Sequence, residues 1–153
     1  MNQPTVEQLL QEHRAKLRPK SGSRMMKILG GFFRVFGNKR FMDSYWTTIR
    51  DTIYYPTRVA DPNRYAHIIA HECVHVEQWR KWRVLQSFSY IFLPVPIFFA
   101  WFRWRWEREA YLVTIGFASN KEREIERIVH DLWHDYMWTW PRKRMRKWFI
   151  EHT

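Results

Sequence analysis

Cysteine occurs once in 153 residues, at Cys73, which excludes an intrachain disulfide framework and fits a reducing compartment. Acidic residues are scarce: 15 Asp and Glu stand against 26 Lys and Arg, a formal charge of +11. That imbalance favours acidic partners such as nucleic acid, anionic headgroups or an anionic polymer, without choosing among them. Internal repeats and low-complexity segments are missing, so neither a solenoid nor a linker-like chain is expected. No signal peptide stands out. The first twenty residues are polar, and the apolar run of residues 25–37 is late, short and broken by Lys27 and Arg34. A start at Met25 or Met26 would make that run resemble a weak signal sequence; as written, a cytoplasmic protein is the expectation, with peripheral membrane association as an alternative. Strand signals are sparse as well, which points to a mainly helical fold.

What is present is apolar and aromatic. Hydrophobic residues make up 46% of the chain and aromatics 18%, with ten tryptophans, enough for one domain with a modest core. Thr5-Val-Glu-Gln8 reads as a capping box that opens a helix to about Lys16, with Leu9, Leu10, His13 and Leu17 on one side, before Pro19-Lys-Ser-Gly22 breaks it. Residues 25–36 read as a short core helix weakened by Gly30-Gly31, the alternative being a basic amphipathic helix on a membrane surface. Residues 45–55 are β-branched and aromatic, with Arg50-Asp51 as a turn and Pro56 as a stop, and predict a β-hairpin. Asp61-Pro62 then predicts a capped helix from about 62 to about 83.

That helix carries His71-Glu72-Cys73-Val74-His75, an H-E-x-x-H string. At four residues' separation the two imidazoles lie on one side of a helix, where both can reach one zinc ion with the glutamate beside its water. Cys73 and Val74 face away, and Cys73 is expected to be a small core residue. A catalytic zinc takes three protein ligands and keeps one position for water. His67 continues the spacing, but lies about 12 Å along the axis from His75 and cannot share its metal. Residues 76–81 contain no histidine.

The next carboxylates follow a run without charge, residues 84–102. By length that run borders on a membrane span, but Gln86, Ser87, Ser89, Pro94 and Pro96 interrupt it. Spanning would also place everything after Arg103 across the bilayer from His71 and His75. A buried or surface-docked excursion is therefore expected. Beyond it, residues 104–118 form a third helix candidate containing Trp106-Glu-Arg-Glu-Ala-Tyr111.

With H-E-x-x-H followed by Glu107-Arg-Glu-Ala110, the chain resembles gluzincin-type metallopeptidases, in which a second helix carries E-x-x-A-[D/N]. Over residues 46–111 the order is similar to that of small uncharacterised metallopeptidase-like proteins of phages and bacteria. The resemblance implies that His71, His75 and Glu107 bind Zn2+, with Glu109, about 200° away round the helix, the less suited carboxylate. It also implies that Glu72 activates the zinc-bound water for attack on a peptide or amide bond. Tyr111 stands where the family often has Asp or Asn, which puts the usual carboxylate partner of a zinc histidine in doubt. Its phenol is expected to bond a ligand or the substrate oxyanion.

Ser119-Asn-Lys-Glu122 reads as another capping box, opening a helix to about Trp138 with Ile125, Ile128, Val129, Leu132 and Tyr136 as its apolar stripe. His130-Asp-Leu-Trp-His134 repeats the histidine spacing and reads as a polar helix edge, since no third ligand is apparent. One of these histidines remains a candidate oxyanion stabiliser for the first site. The basic run Arg142–Lys147 reads as a solvated tail.

The expectation is an α+β, mainly α chain forming a single minimal zincin-like domain. A helical extension (1–44) precedes the metal-site core (45–118), and a helix with a basic tail (119–153) follows it. The hairpin packs beside the H-E-x-x-H helix. The predicted activity is zinc-dependent hydrolysis of a peptide, protein or peptidoglycan substrate. The competing expectation is a non-catalytic basic module on an anionic membrane surface or, less well supported, on nucleic acid, with a structural or incidental H-E-x-x-H.

Overall fold

A computed structural model of the chain describes residues 3–35, 39–91, 99–134 and 141–153, and only the backbone of 84–91 and 99–103. Among these residues the fold is mainly helical, with seven α-helices and one three-stranded sheet. Two compact units divide it, Met1–Glu77 and Gln78–Thr153, and the division falls inside the longest helix.

The first unit opens with α1 (Val6–Glu12), whose cap is reciprocal. The Thr5 hydroxyl accepts from the Gln8 backbone N–H at 3.2 Å, and the Gln8 side chain accepts from the Thr5 N–H at 2.8 Å. Val6 and Leu9 are buried. The expected continuation to Lys16 does not form. Arg14 adopts a left-handed φ of 46° and turns the chain out of the helix, and Lys16–Pro19 becomes a strand, β1. Little in Lys-Leu-Arg-Pro favours a strand locally; its conformation is imposed by parallel pairing with the hairpin, from Lys16 opposite Thr52 to Pro19 opposite Tyr55.

The predicted hairpin is present as β2 (Thr47–Ile49) and β3 (Thr52–Tyr55), antiparallel across the two-residue turn Arg50-Asp51. Arg50 takes the positive φ, 59°, that short hairpin turns require. Asp51 ties this turn to β1: its carbonyl accepts from the Lys16 N–H at 2.7 Å and its carboxylate from the Lys16 ammonium at 2.8 Å. The bond to Lys16 holds the Asp51 carboxyl below its ordinary pKa. The sheet order β1-β3-β2 puts β3 in the centre, with Thr52, Ile53 and Tyr54 buried.

Between β1 and the hairpin run α2 (Arg24–Val35) and the short α3 (Phe41–Ser44). Met26, Phe41 and Tyr54 make a small core there, flanked by Leu29, Phe33, Met42 and Ile49. Gly30 lies against it; a Cβ at that position would come within 2.7 Å of Met42 Cγ.

Asp61 caps the next helix as expected, its carboxylate accepting from the Asn63 N–H at 3.0 Å. The first turn, Pro62–Tyr65, is a 3-10 turn, and the α-helix proper, α4, runs Ala66–Ile91. Its regular part ends at Arg83 (φ 24°, ψ −88°), the end the sequence predicts, after which a second helical segment begins. Of the expected excursion over 84–102, residues 84–91 close α4 and 99–102 open α5, and residues 92–98 lie outside the described residues. No helix among the described residues is long and apolar enough to cross a membrane.

The second unit is helical. It contains α5 (Phe99–Phe117), α6 (Lys121–His134) and α7 (Arg142–His152) around a core that includes Trp104, Ile115, Ile128, Leu132, Met145 and Phe149. The α6 cap is Asn120, not Ser119: its side chain accepts from the Arg123 N–H at 3.0 Å, because the helix starts one residue later than the capping-box pattern implies. Ile125, Ile128, Val129 and Leu132 are buried, as the periodicity predicts; Tyr136 and the expected helix end lie outside the described residues. The basic tail is not a loose segment. It forms α7, whose Met145 and Phe149, four residues apart, are fully buried, while Arg146 on its outer side pairs with Glu122 and Glu126. The concentration of charge in residues 142–147 hides this two-residue apolar stripe.

Candidate metal centre

Burial of Ile69, Ala70, Cys73 and Val76 fixes the rotation of α4, and with it the direction of the two histidines. Cys73 is fully buried, as expected of a core residue, with its sulfur 4.0 Å from the Leu9 carbonyl oxygen. His71 and His75 are themselves buried, their rings at 77° and their Nε2 atoms 3.3 Å apart. Two nitrogens each about 2.0–2.1 Å from a tetrahedral metal are separated by about 3.3–3.4 Å. The imidazoles therefore already stand at the separation a shared tetrahedral ion demands.

Glu107, on α5, is also buried. His71, His75 and Glu107 each offer one ligand atom, and these atoms lie within 4.8 Å of one another. Two imidazoles and a carboxylate form a buried donor set that can hold a metal ion. Glu109 is placed differently. It is exposed, and its carboxylate accepts from the side-chain amide of buried Gln78 at 3.0 Å, the same amide that donates to the Trp106 carbonyl at 3.0 Å. Among the described residues it is Glu107, and not Glu109, that lies with the two histidines.

Glu72 is buried beside the histidines, and its Oε2 accepts from the Thr48 hydroxyl on β2 at 2.6 Å. A charge-assisted bond of this length fixes the carboxylate's orientation. A second polar group lies deep in the same unit. Lys20, fully buried just after β1, donates to the Phe41 carbonyl at 2.7 Å and sits 3.8 Å over the Phe41 ring. Burial pushes its pKa down to about 8, opposed by the field of Glu72, which favours the ammonium form. The sequence sets the hairpin beside this helix, but it singles out neither Thr48 within that hairpin nor Lys20. Thr48 stands in a hairpin whose register relative to α4 no local pattern encodes, and Lys20 stands in what reads as a helix-breaking loop.

His67 is exposed. Tyr111 is half-buried and packs against the core of α5, α6 and α7, and its phenol acts electrostatically on Arg127. His130 and His134 are exposed on α6, with ring centroids 5.7 Å apart and planes nearly parallel at 6°; His130 Nδ1 lies 3.5 Å from the Asp131 carboxylate. Among the described residues, the His71, His75 and Glu107 group is the metal-ligating cluster of three that forms.

No protein-family model matches this chain, and no curated protein or solved structure matches it either.

Proposed function

We propose that this chain is a zinc-dependent hydrolase of peptide or other amide bonds, a minimal zincin-like protein of the gluzincin type. The observation that carries the reading is the buried His71, His75 and Glu107 donor set with Glu72 beside it, held by Thr48. Among the described residues the set has three donors rather than four, and three leave a position open, as catalytic zinc sites do and structural ones do not. When bound there, zinc supplies Lewis acidity toward the scissile carbonyl and brings the pKa of water to about 7.

The chain's own residues do the rest. Glu72 takes the proton of the attacking water on its carboxylate and returns it to the leaving amine as the carbon–nitrogen bond breaks. Thr48 holds Oε2 by its hydrogen bond, which directs Oε1 to that exchange. β1 covers the outer side of β3, so among the described residues the outer edge of β2 is the hairpin edge without a neighbouring strand. An extended peptide added to that edge would run past Thr48 and hence past Glu72. A protein, a peptide and a peptidoglycan cross-link all present such a segment.

The test uses zinc-loaded protein with labelled casein and with cross-linked peptidoglycan as probes. Glu72→Gln is expected to keep its zinc and to lose about 10²–10⁴-fold in hydrolysis. A wild-type rate that Glu72→Gln leaves unchanged contradicts the proposal.

A further inference from the structure

The sequence reading of α2 as a core helix accounts for only one of its sides. Met26 and Gly30 are buried against Phe41 and Met42, whereas Met25, Ile28, Phe32 and Val35 are 42%, 74%, 57% and 84% exposed. At 100° per residue those four exposed side chains fall within one sector of about 80°, turned away from the buried side. Arg24, Lys27 and Arg34, all exposed, fill the adjoining sector. The outer half of α2 is therefore itself amphipathic, apolar along one strip and cationic along the next.

In the sequence that flanks this helix, between Glu12 and Asp43, the charge has one sign. From His13 to Met42 the sequence contains nine Lys and Arg and no Asp or Glu. Bulk water solvates an exposed Ile-Phe-Val strip poorly, and a nucleic-acid backbone offers it nothing apolar to enter. A bilayer interface containing anionic lipid satisfies both strips: the apolar side chains enter the acyl boundary and the basic ones stay among the headgroups. We propose that α2 is a membrane-surface docking helix that lies flat on anionic bilayers, independently of whether the metal centre is catalytic.

The experiment is flotation of the full-length chain with vesicles of phosphatidylcholine alone and of phosphatidylcholine mixed with phosphatidylglycerol. The wild type is expected to float with the mixed vesicles and much less with the neutral ones. Ile28→Ser with Val35→Ser removes the two most exposed apolar side chains and is expected to lower partitioning about tenfold or more at unchanged thermal stability. Lys27→Gln with Arg34→Gln is expected to lower it roughly fivefold per charge on the anionic vesicles only. Equal flotation of wild type and both double variants overturns the proposal. So does dimerisation abolished by Ile28→Ser with Val35→Ser in protein that binds no vesicle, since a second copy would then cover the strip. Tighter binding to a duplex oligonucleotide than to the mixed vesicles overturns it as well.

Discussion

Histidines recur at a four-residue spacing on two helices of this protein, and among the described residues only His71 and His75 on α4 join a donor set of three. On α4, His71 and His75 are buried, their Nε2 atoms converge to 3.3 Å, and the buried Glu107 carboxylate joins them. On α6, His130 and His134 are exposed and stacked nearly parallel. The residue beside the first histidine differs in the same way: Glu72 is held in the interior by Thr48, while Asp131 accepts from the Arg127 guanidinium at 2.7 Å at the surface. Spacing puts two imidazoles on the same side of a helix; burial and a third donor turn that coincidence into a set that can hold a metal ion. A buried polar cluster is costly unless its groups are satisfied, so its presence on α4 calls for an explanation that the α6 pair does not.

The comparison can be broken at several points. On α6 the buried apolar stripe, and not the exposed histidines, is expected to carry stability. Leu132→Ala, at a fully buried position between the pair, is expected to cost about 2–5 kcal/mol in chemical denaturation. His130→Ala and His134→Ala should each stay within about 0.5 kcal/mol of wild type. A large loss from either histidine would mean that this pair, too, is structurally engaged.

Lys20 sharpens the contrast in environment, because no comparable buried charge accompanies the α6 pair among the described residues. Its folded-state pKa of about 8 lies below the ordinary 10.5. Below pH 8 the lysine is protonated in both states and the fold bears the full burial penalty. Between about 8 and 10.5 the unfolded chain binds more protons, so this group makes stability rise with pH, by at most a few kcal/mol. Denaturation across that window should show the rise in wild type and its loss in Lys20→Met. A variant with the wild-type slope would place the titration elsewhere.

The smallest expected effects compare the two carboxylates directly. Thr48→Val removes the hydroxyl that serves buried Glu72 and should cost about 1–3 kcal/mol. Asp131→Asn, which loosens an exposed ion pair with Arg127, should cost less than about 1 kcal/mol. Equal costs from the two, read by urea titration, would erase the distinction.

How much of this was legible beforehand follows from where each signal resides. The α1 and α4 caps, the Arg50-Asp51 turn, the end of the regular helix at Arg83 and the apolar stripe of α6 are local patterns, and they form where the sequence places them. The two histidines follow from helical periodicity alone. β1 was not legible, because Lys16–Pro19 owes its conformation to pairing with a strand more than thirty residues away. α7 was hidden by its own charge, with two buried side chains among the basic ones. Thr48 meets Glu72 through tertiary packing, and no spacing in the chain announces it. In the sequence the preference for Glu107 over Glu109 rests on one alanine and a family likeness; the buried position of Glu107 beside the histidines comes from tertiary packing.

The most direct measurement is zinc stoichiometry by elemental analysis after loading and exhaustive desalting. About one zinc per chain is expected in wild type, in Glu109→Ala and in the double variant His130→Ala with His134→Ala. Glu107→Ala and the double variant His71→Ala with His75→Ala should retain none. Zinc that survives in these last two proteins, or that leaves with His130 and His134, would contradict the assignment of the metal centre to α4.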